Sequence, residues 1–439
     1  MSFVRTRKAA LMVSAVALVL AACGGSEEAA EPEAPAAPAA PSEDGGEPAE
    51  VTVPDSPDDG VLSDVIRVGW MGDVTGPTAS AQAFNLRGIE AYFDYVNAQE
   101  DTLGRQLELI AKDDEYSAEL GISNFTSLLN DERVIAINQL GGSQIIGALL
   151  ADAERESLPL VSVAQTTSEQ LASPVAFHTL AHYFDMADVA VARAIGALGG
   201  PDELRIGVAH LEVPSGLEWD EGIQKAVAAQ GGTYVGAIPI PIAAPDAGSF
   251  AGAVQQLIDD EGMNYLALHG APFHGLFATN ALAAQGVEIP VVGMQGIASL
   301  NVYQEGDPTQ IARTEAVHSF VTFADDTPGG AVIRDFINGA GAEYAEDAKQ
   351  INFTHGWVGG MIIREAILRA GATGSLTRES LLAALPGVYE MDGLTCDVDW
   401  STSNHSPCAA PFSYDGSDMR IVGSFDDYAD VFRRDYARG

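Results

Sequence analysis

Short runs of β-branched and aliphatic residues alternate along most of the chain with longer segments in which apolar residues recur every three or four positions. The short runs predict strands, at residues 65–70, 107–110, 134–137, 160–163, 204–208, 234–238, 265–268 and 291–293. The longer segments predict helices, near residues 86–96, 118–129, 144–156, 184–198, 216–229, 250–259 and 276–284. This order is typical of α/β proteins, in which a parallel sheet carries helices on both faces.

The alternation restarts at residue 204, which predicts two Rossmann-like lobes of similar construction. The length of 439 residues agrees with this, since single cores rarely grow beyond about 250–300 residues. In open parallel sheets, ligands bind beyond the carboxyl ends of the strands. Two facing lobes therefore predict a ligand cleft between them.

Residues 1–23 have the order of charge and hydropathy that is typical of an export signal. Three basic residues precede an uncharged apolar stretch at residues 9–20, which is too short to span a bilayer as a helix. Small residues then lead directly to Cys23, a sequence that resembles the lipobox of bacterial lipoproteins. We interpret this segment as a lipoprotein signal peptide with Cys23 as the lipidated residue, the alternative being a plain secretion signal.

Residues 24–60 differ in composition from the rest of the chain. They contain eleven acidic residues, seven prolines and no lysine or arginine. A segment with so few large apolar side chains cannot form a core, and its like charges repel one another. We therefore expect an extended acidic tether between the lipidated end and the folded body.

The whole chain has 62 acidic against 22 basic side chains, which gives a formal net charge of −40. Binding to nucleic acid requires a basic surface that displaces counterions from phosphates, so this charge argues against nucleic acid as a partner. A hydrophobic fraction of 47% excludes a fully disordered chain. The acidity fits a salty habitat and equally an exported protein from a high-GC genome.

Several segments occur in an order and at a spacing that one family of solute-binding proteins shares. The first is the first strand with the turn after it, at residues 66–77, and the second is a Gly-Ser pair after the third strand, at residues 142–143. The others are the fourth strand with its loop, at residues 159–166, and a segment at residues 246–250 in which an aspartate precedes a helix. The chain resembles type I periplasmic solute-binding proteins, and among them the leucine/isoleucine/valine-binding branch that serves ABC importers.

This resemblance implies a two-lobed clamp with three crossover segments, near residue 177, near residue 320 and within residues 396–412. The implied lobes are residues 61–178 with 320–392 and residues 179–319 with 393–439. The resemblance further implies an extracytoplasmic, monomeric receptor that has no cofactor and no enzymatic activity, and that works with a membrane permease and an ATPase.

The family holds the carboxylate of its ligand with residues after the third and fourth strands. By position these are Gly142 and Ser143, then the backbone of Ala164 and the hydroxyl and amide of Thr166. A helix is predicted to begin next to Ser143, and free N–H groups at a helix start attract an anion. The simpler alternative is that Ser143 only caps the helix.

Gln295 follows the last predicted strand of the second lobe, where the family often has an acid that binds the ligand ammonium. An amide pairs poorly with a buried ammonium. The difference therefore favours an amino acid that is bound differently, or a carboxylate or amide without a free amine. His269 ends another strand of that lobe and is a further candidate for ligand contact.

Two positions where the family commonly has aromatic residues near the ligand correspond to Ala81 and to the turn at residues 271–273. The loss of a ring at Ala81 enlarges the predicted pocket, and Phe273 or Phe353 could supply the wall instead. Ordinary core packing explains both phenylalanines equally well.

Other candidate chemistry is sparse. His178 and His182 share the spacing of one helix face and Asp185 follows, but no further ligand lies at metal-site spacing, so we favour structural or hinge roles over metal binding. The sequence also lacks a dinucleotide loop, a P-loop and the Gly-x-Ser-x-Gly elbow of hydrolases.

Cys396 and Cys408 remain as an even pair once Cys23 is lipidated. In an oxidising compartment such a pair predicts a disulfide. A metal site is the alternative, but two thiols without neighbouring His or Cys seldom form one.

Three classes of function remain. The prediction is a lipid-anchored receptor that delivers a small carboxylate-bearing ligand, a branched-chain or related amino acid, to an ABC permease. The alternative is a sensing module for amides or non-amino-acid carboxylates, which needs a separate signalling protein. An exported hydrolase needs a nucleophile with a base, and none can be named from the sequence.

Overall fold

The computed structural model describes residues 52–99, 102–138, 141–164, 166–242, 245–405 and 407–432. The first five strands are β1 (Val65–Gly72), β2 (Gln106–Asp113), β3 (Ile137–Asn138), β4 (Leu160–Val161) and β5 (Ala176–Phe177). They form one parallel sheet in the order β2-β1-β3-β4-β5. In its longest pairing, Val65 lies opposite Gln106. Most of β1 is buried, as expected for a parallel sheet that is covered on both faces.

The remaining strands are β6 (Arg205–Leu211), β7 (Thr233–Ile240), β8 (Tyr265–Leu268), β9 (Val291–Gly293), β10 (Thr314–His318), β11 (Val388–Tyr389), β12 (Val398–Asp399), β13 (Ala410–Tyr414) and β14 (Met419–Ile421). The second sheet has the order β14-β13-β10-β9-β8-β6-β7. Strands β6 to β10 are parallel, whereas β13 and β14 are added antiparallel at one edge. β11 and β12 form a separate antiparallel pair. The predicted α/β class with two mainly parallel sheets is confirmed.

The helices are α1 (Ala79–Asn97), α2 (Ala118–Asn130), α3 (Ser143–Arg155), α4 (Ser168–Leu171), α5 (Tyr183–Leu198), α6 (Pro214–Gln230), α7 (Ala247–Glu261), α8 (Pro272–Ala284), α9 (Leu300–Glu305), α10 (Pro308–Ile311), α11 (Pro328–Ile337), α12 (Ile351–Gly371) and α13 (Arg378–Ala384). Several begin at side chains that cap a free N–H group. Asp246 Oδ1, for example, accepts from Ser249 N at 2.7 Å at the start of α7.

The chain passes between the two sheets three times. It leaves the first sheet after β5, returns after β10, and leaves again between β12 and β13. The three crossovers lie side by side, because His178 N donates to Asn404 O at 2.8 Å and Ala181 N donates to Ser319 Oγ at 3.0 Å. Their positions agree with those that the resemblance implies.

Helices α1 and α12 approach each other through glycines. A Cβ atom on Gly356 of α12 would overlap the carbonyl oxygen of Asn85 in α1, and one on Gly88 of α1 would overlap that of Phe353. Only residues without a Cβ allow backbones to pack at this distance. This contact fixes the position of α1, whose first turn faces the cavity described below.

Residues 52–60, which the composition assigns to the tether, lie against the first sheet. Val53 is 5% exposed, and its carbonyl oxygen accepts a hydrogen bond from Arg105 Nη2 at 2.9 Å. The structure therefore corrects the tether boundary, since the chain belongs to the folded body by residue 53. One apolar side chain and one buried arginine hold this end. Cys23, the signal peptide and the earlier part of the tether lie outside the described residues.

The predicted disulfide is present. Cys396 and Cys408 are bonded through their Sγ atoms, and their Cα atoms are 5.9 Å apart, a normal separation for such a bond. The closed loop contains β12 and the third crossover. The bond therefore limits the freedom of the chain where it passes from one sheet to the other.

Removal of this bond should lower the free energy of unfolding by about 3 kcal/mol, because the opened loop gains entropy in the unfolded chain. We expect Cys396→Ala, Cys408→Ala and the double variant to lose similar amounts in urea unfolding, and wild type to match them once reductant is added. A single variant that is as stable as wild type, or two free thiols in denatured wild-type protein, would contradict this prediction.

Candidate functional site

A cavity lies between the two sheets, beyond the carboxyl ends of their parallel strands. Its volume, counted for the centres of water-sized spheres, is about 70 Å³. The polar side chains on its wall are Thr78, Gln82, Asn85, Tyr116, Ser215, His269, His274, Gln295, Asn352 and His355. The apolar side chains include Ala81, Ala164, Leu180, Leu211, Ile242 and Met294. Both sheets thus contribute to one site.

Four helices begin around this cavity. The first turns of α1, α8 and α12 form part of its wall. Ser215 in the first turn of α6 also lines it, and Ser215 Oγ accepts a hydrogen bond at 3.3 Å from Ser143 Oγ at the start of α3. Free N–H groups make helix N-termini positive. The potential around the cavity therefore favours an anion.

The wall itself carries no formal charge at neutral pH. No Asp, Glu, Lys or Arg is among the described residues that form it. Burial lowers the pKa of His269 and of His355 to about 3, and it also lowers the pKa of His274, so these three rings are neutral. On the wall itself a ligand therefore meets helix N-termini and neutral polar groups, whereas the carboxyl of Asp73 lies behind it and accepts from Thr78 N at the start of α1.

Direct hydrogen bonds join the two sides of the cavity. Gln295 Nε2, after β9, donates to the carbonyl oxygen of Ala164, after β4, at 2.8 Å. Ser299 Oγ donates to the carbonyl oxygen of Ser80 at 3.5 Å. The serine pair between α3 and α6 is a third connection. The two lobes are thus held in a closed arrangement around the site.

The wall on the side of the first sheet is held by a network beneath α1. Gln82 Oε1 accepts from Asp73 N at 2.9 Å, and Gln82 Nε2 donates to Thr78 Oγ1 at 2.7 Å. Asn85 Oδ1 accepts from the indole nitrogen of Trp70 at 3.0 Å. This orients the Asn85 amide nitrogen as a donor, and no described residue accepts from it. The first-sheet side therefore offers the ligand a neutral N–H donor.

Tyr116 reaches the wall from a loop with buried acids. Burial raises the pKa of its hydroxyl to about 12, and the charges of Asp114 and Asp73 add to this shift. Burial also raises the pKa of Asp114 to about 7, so this carboxyl is largely protonated below that pH. Tyr116 therefore stays a neutral hydroxyl, which can donate to a ligand.

Comparison with known proteins decides the family. Residues 65–413 match the family described as periplasmic binding protein. The chain belongs to the periplasmic binding protein family. No curated protein matches the chain. Among the described residues, no helix has the length and apolar character needed to cross a membrane.

Solved structures show the same fold at low identity. A fatty acid ABC transporter substrate-binding protein from Thermomonospora curvata is 19% identical, with a TM-score of 0.73, and the match covers 86% of this chain and 97% of that chain. A solute-binding protein from R. palustris in complex with 4-hydroxybenzoate is 18% identical, with a TM-score of 0.70 and coverage of 82% and 96%. A branched-chain amino acid ABC transporter protein from Thermus thermophilus with bound valine is 17% identical, with a TM-score of 0.69 and coverage of 83% and 97%.

The structure brings some of the predicted site residues of this family member together. Ala164, His269, Gln295 and Ala81 line the cavity. Gly142 is the N-cap of α3 with a φ of 79°, a left-handed conformation that suits glycine. Gly142 places Ser143 at the start of α3. There Ser143 contacts Ser215 of α6, and it is not among the residues that line the cavity. That serine thus connects the lobes in this arrangement.

The other predicted residues lie elsewhere. Thr166 Oγ1 donates to the carbonyl oxygen of Leu180 at 3.0 Å, so its hydroxyl is already used within the fold. Phe273 is 45% exposed on α8, with its ring centroid 5.2 Å from that of His274, and Phe353 is fully buried in the core beside Trp357. Neither phenylalanine lines the cavity. Among the described lining residues, Tyr116 supplies an aromatic ring in place of the expected phenylalanines, and core packing explains Phe353.

Sequence reasoning missed Asn85, Tyr116, Ser215, Asn352 and His355. Most of these residues lie on helices whose apolar pattern only predicts that one face is buried. The single available signal was the presence of Asn and His within otherwise apolar helix faces, because buried polar side chains need partners.

The histidines near the first crossover have structural surroundings. His182 Nδ1 accepts from Phe184 N at 3.0 Å and begins α5, and its Nε2 lies 3.2 Å from Glu218 Oε2. His405 Nε2 lies 3.0 Å from Asp185 Oδ2. Within the described ranges, no three His, Cys, Asp or Glu side chains are grouped closely enough to hold a metal ion. These contacts support the structural interpretation.

Proposed function

We propose that the protein is the extracytoplasmic receptor of an ABC importer and that it closes on a small carboxylate-bearing solute in the cavity between its lobes. Its family and the fold of substrate-binding neighbours support this role. A receptor of this kind needs no catalytic group, only a site whose two halves meet when the lobes close.

One observation carries the choice of a carboxylate. Four helix N-termini surround a cavity whose described wall has no charged side chain. A buried anion is stabilised by such dipoles and by neutral donors, here the amide of Asn85 and the hydroxyl of Tyr116. A buried cation would find no opposite charge on this wall.

The size of the cavity supports a small solute. One water needs about 10–15 Å³ on the same measure of volume, so 70 Å³ accommodates about five water-sized groups. Leucine and valine are near this size, but their ammonium lacks a carboxylate partner among the described wall residues. A carboxylate without an amine fits the wall better than the branched-chain amino acid that the resemblance suggests.

We further propose that Cys23 is lipidated and holds the receptor at the outer face of a membrane. The lipobox-like sequence before this cysteine supports the anchor. A lipid anchor keeps a receptor near its permease, and a following tether gives it reach.

Ligand binding should compact the protein, because a solute that touches both lobes stabilises their closed arrangement. Small-angle scattering with and without 4-methylpentanoate, supported by calorimetric titration, should show a smaller radius of gyration once the site is saturated. Ala81→Trp, which places an indole in the cavity, should lose binding by at least about 100-fold and with it the compaction.

Ala228→Trp is the matched control for this experiment, because Ala228 lies on the exposed face of α6. We expect this variant to bind and compact as wild type does. If a panel of small carboxylates shows no binding to wild type, the proposed ligand class is wrong. If ligands bind without compaction, closure around the site is wrong.

A further inference from the structure

The orientation of the Gln295 amide is fixed by its contact across the cleft. Its Nε2 donates to the carbonyl oxygen of Ala164 at 2.8 Å. A flipped amide would place two acceptor oxygens against each other, so the nitrogen must face Ala164. Nε2 keeps a second hydrogen, whereas Oε1 is buried without a hydrogen-bond partner among the described residues. Gln295 is 6% exposed, and Oε1 is the acceptor that it leaves unpaired for a ligand.

His269 follows the neighbouring strand and lines the same cavity as Gln295. Leu268 of β8 pairs with Gly293 of β9, so the residues that follow these strands emerge side by side. His269 is 2% exposed, and neither ring nitrogen has a partner among the described residues. The neutral ring supplies one donor and one acceptor. The neighbouring His274 is committed, since its Nδ1 accepts from Ala271 N and its Nε2 lies 3.1 Å from the carbonyl oxygen of Ile242.

The second-sheet end of the cavity therefore requires a ligand that donates hydrogen bonds without carrying a charge. A methyl group at this place leaves Oε1 unpaired, which is costly for a buried acceptor. An ammonium brings a positive charge into a wall without a described carboxylate. A hydroxyl satisfies the oxygen of Gln295 with its proton and can accept from the ring of His269 with its own lone pair.

We propose that the ligand is a small hydroxy acid, and that Gln295 selects it over the corresponding α-amino acid and over the unsubstituted acid. This inference rests on the proposed function, because it assigns the second polar end of the carboxylate ligand. The carboxylate faces the N-termini of α1 and α12 and the donors of Asn85 and Tyr116, and the hydroxyl faces Gln295 and His269.

Calorimetric titration with matched probes tests this assignment. One set is 2-hydroxy-4-methylpentanoate, leucine and 4-methylpentanoate, which differ only in a hydroxyl, an ammonium or a hydrogen at one carbon. The second set is 4-hydroxybenzoate and benzoate, in which the hydroxyl lies farther from the carboxylate. In whichever set shows binding, we expect the hydroxy acid to bind at least about tenfold more tightly than the parent acid. In the first set we also expect the hydroxy acid to bind more tightly than leucine.

Gln295→Met separates selection from lobe closure. This variant loses the contact to Ala164 for every ligand, whereas only the hydroxy acid loses its acceptor. The ratio of affinities between hydroxy acid and parent acid should therefore fall from at least about tenfold to nearly one. Gln285→Met, at an exposed position after α8, is the control and should leave this ratio unchanged.

The outcomes are distinct. Equal binding of hydroxy and parent acids, tightest binding of leucine, or an unchanged ratio in Gln295→Met would overturn the hydroxy-acid assignment while leaving the proposed carboxylate receptor intact. A failure of all five probes would contradict the carboxylate class itself and this inference with it.

Discussion

At pH 5 the ligand-free protein should be several kcal/mol less stable toward unfolding than at pH 7, because it buries histidines in their neutral form. Burial lowers the pKa of four of them, from an ordinary 6.5 to about 3 in each case, namely His178, His269, His318 and His355. In the unfolded chain these rings take up protons below about pH 6.5, whereas in the folded protein they remain neutral until about pH 3.

The sign follows from proton uptake. Above pH 6.5 both states are neutral and the full stability is present; as the pH falls through 6.5 toward 3, the unfolded state binds more protons and stability is lost. Each histidine contributes a slope of up to about 1.4 kcal/mol per pH unit in this window. Asp114 has the opposite effect on stability, because burial raises its pKa from an ordinary 3.8 to about 7. Between these two values the folded protein binds more protons at Asp114 than the unfolded chain does, so stability rises as the pH falls. One opposing carboxyl against four histidines leaves a net loss in acid.

Urea unfolding at pH 5, 6 and 7 measures this slope. His178→Gln removes one titrating ring at the first crossover and should reduce the slope by about one proton. Gln285→Met, an exposed substitution that removes no titrating group, should leave the slope unchanged. A free energy of unfolding that stays constant from pH 7 to pH 5 would contradict the prediction, because the folded protein and the unfolded chain would then take up equal numbers of protons.

Gly356→Ala should destabilise the protein by about 3 kcal/mol or more, although alanine is normally the better helix former. The added Cβ would overlap the carbonyl oxygen of Asn85, a backbone atom that cannot rotate away. Helix α1 must then shift, and Ala81 and Asn85 shift with it. Ligand affinity should therefore fall together with stability, as urea unfolding and calorimetric titration can measure.

Gly252→Ala is the matched control for this substitution. Gly252 lies on the exposed face of α7, and a Cβ there meets no atom within 4 Å. The variant should gain up to about 1 kcal/mol from the better helix propensity of alanine. If both variants change the free energy of unfolding in the same direction, close packing of α1 on α12 is not the reason why Gly356→Ala loses stability.

The strands and most helices could be predicted because their signals are local. Strands β8 and β9 were predicted with their observed bounds, and α5 and α7 within a few residues. The predicted strand at residues 134–137 is shortened to Ile137–Asn138, although Ile135 N still bonds to Arg67 O. The antiparallel strands β13 and β14 were not predicted, because their direction depends on a long-range pairing with β10 that no local pattern records.

Site residues on strand ends were predicted better than those on helices. His269 and Gln295 follow strands directly, and the carboxyl ends of parallel strands must face the cleft. Asn352 and His355 lie on α12, where a small rotation of the helix decides whether a side chain faces the cavity or the core. Phe353, on the same helix, lies in the core, which is one of the two positions that the sequence left equally open.

The order of elements along the chain also determines when each lobe can fold. Helix α1 needs α12, which comes after five strands of the second sheet, and β10 needs β13, which comes after α12. Neither lobe is therefore a continuous stretch that can finish while the rest of the chain is still being made or exported. Folding must wait for contacts that are distant in sequence, and such contacts slow folding and prolong the exposure of apolar faces. A chain that ends before residue 351 lacks the closing helix of one lobe and the edge strands of the other.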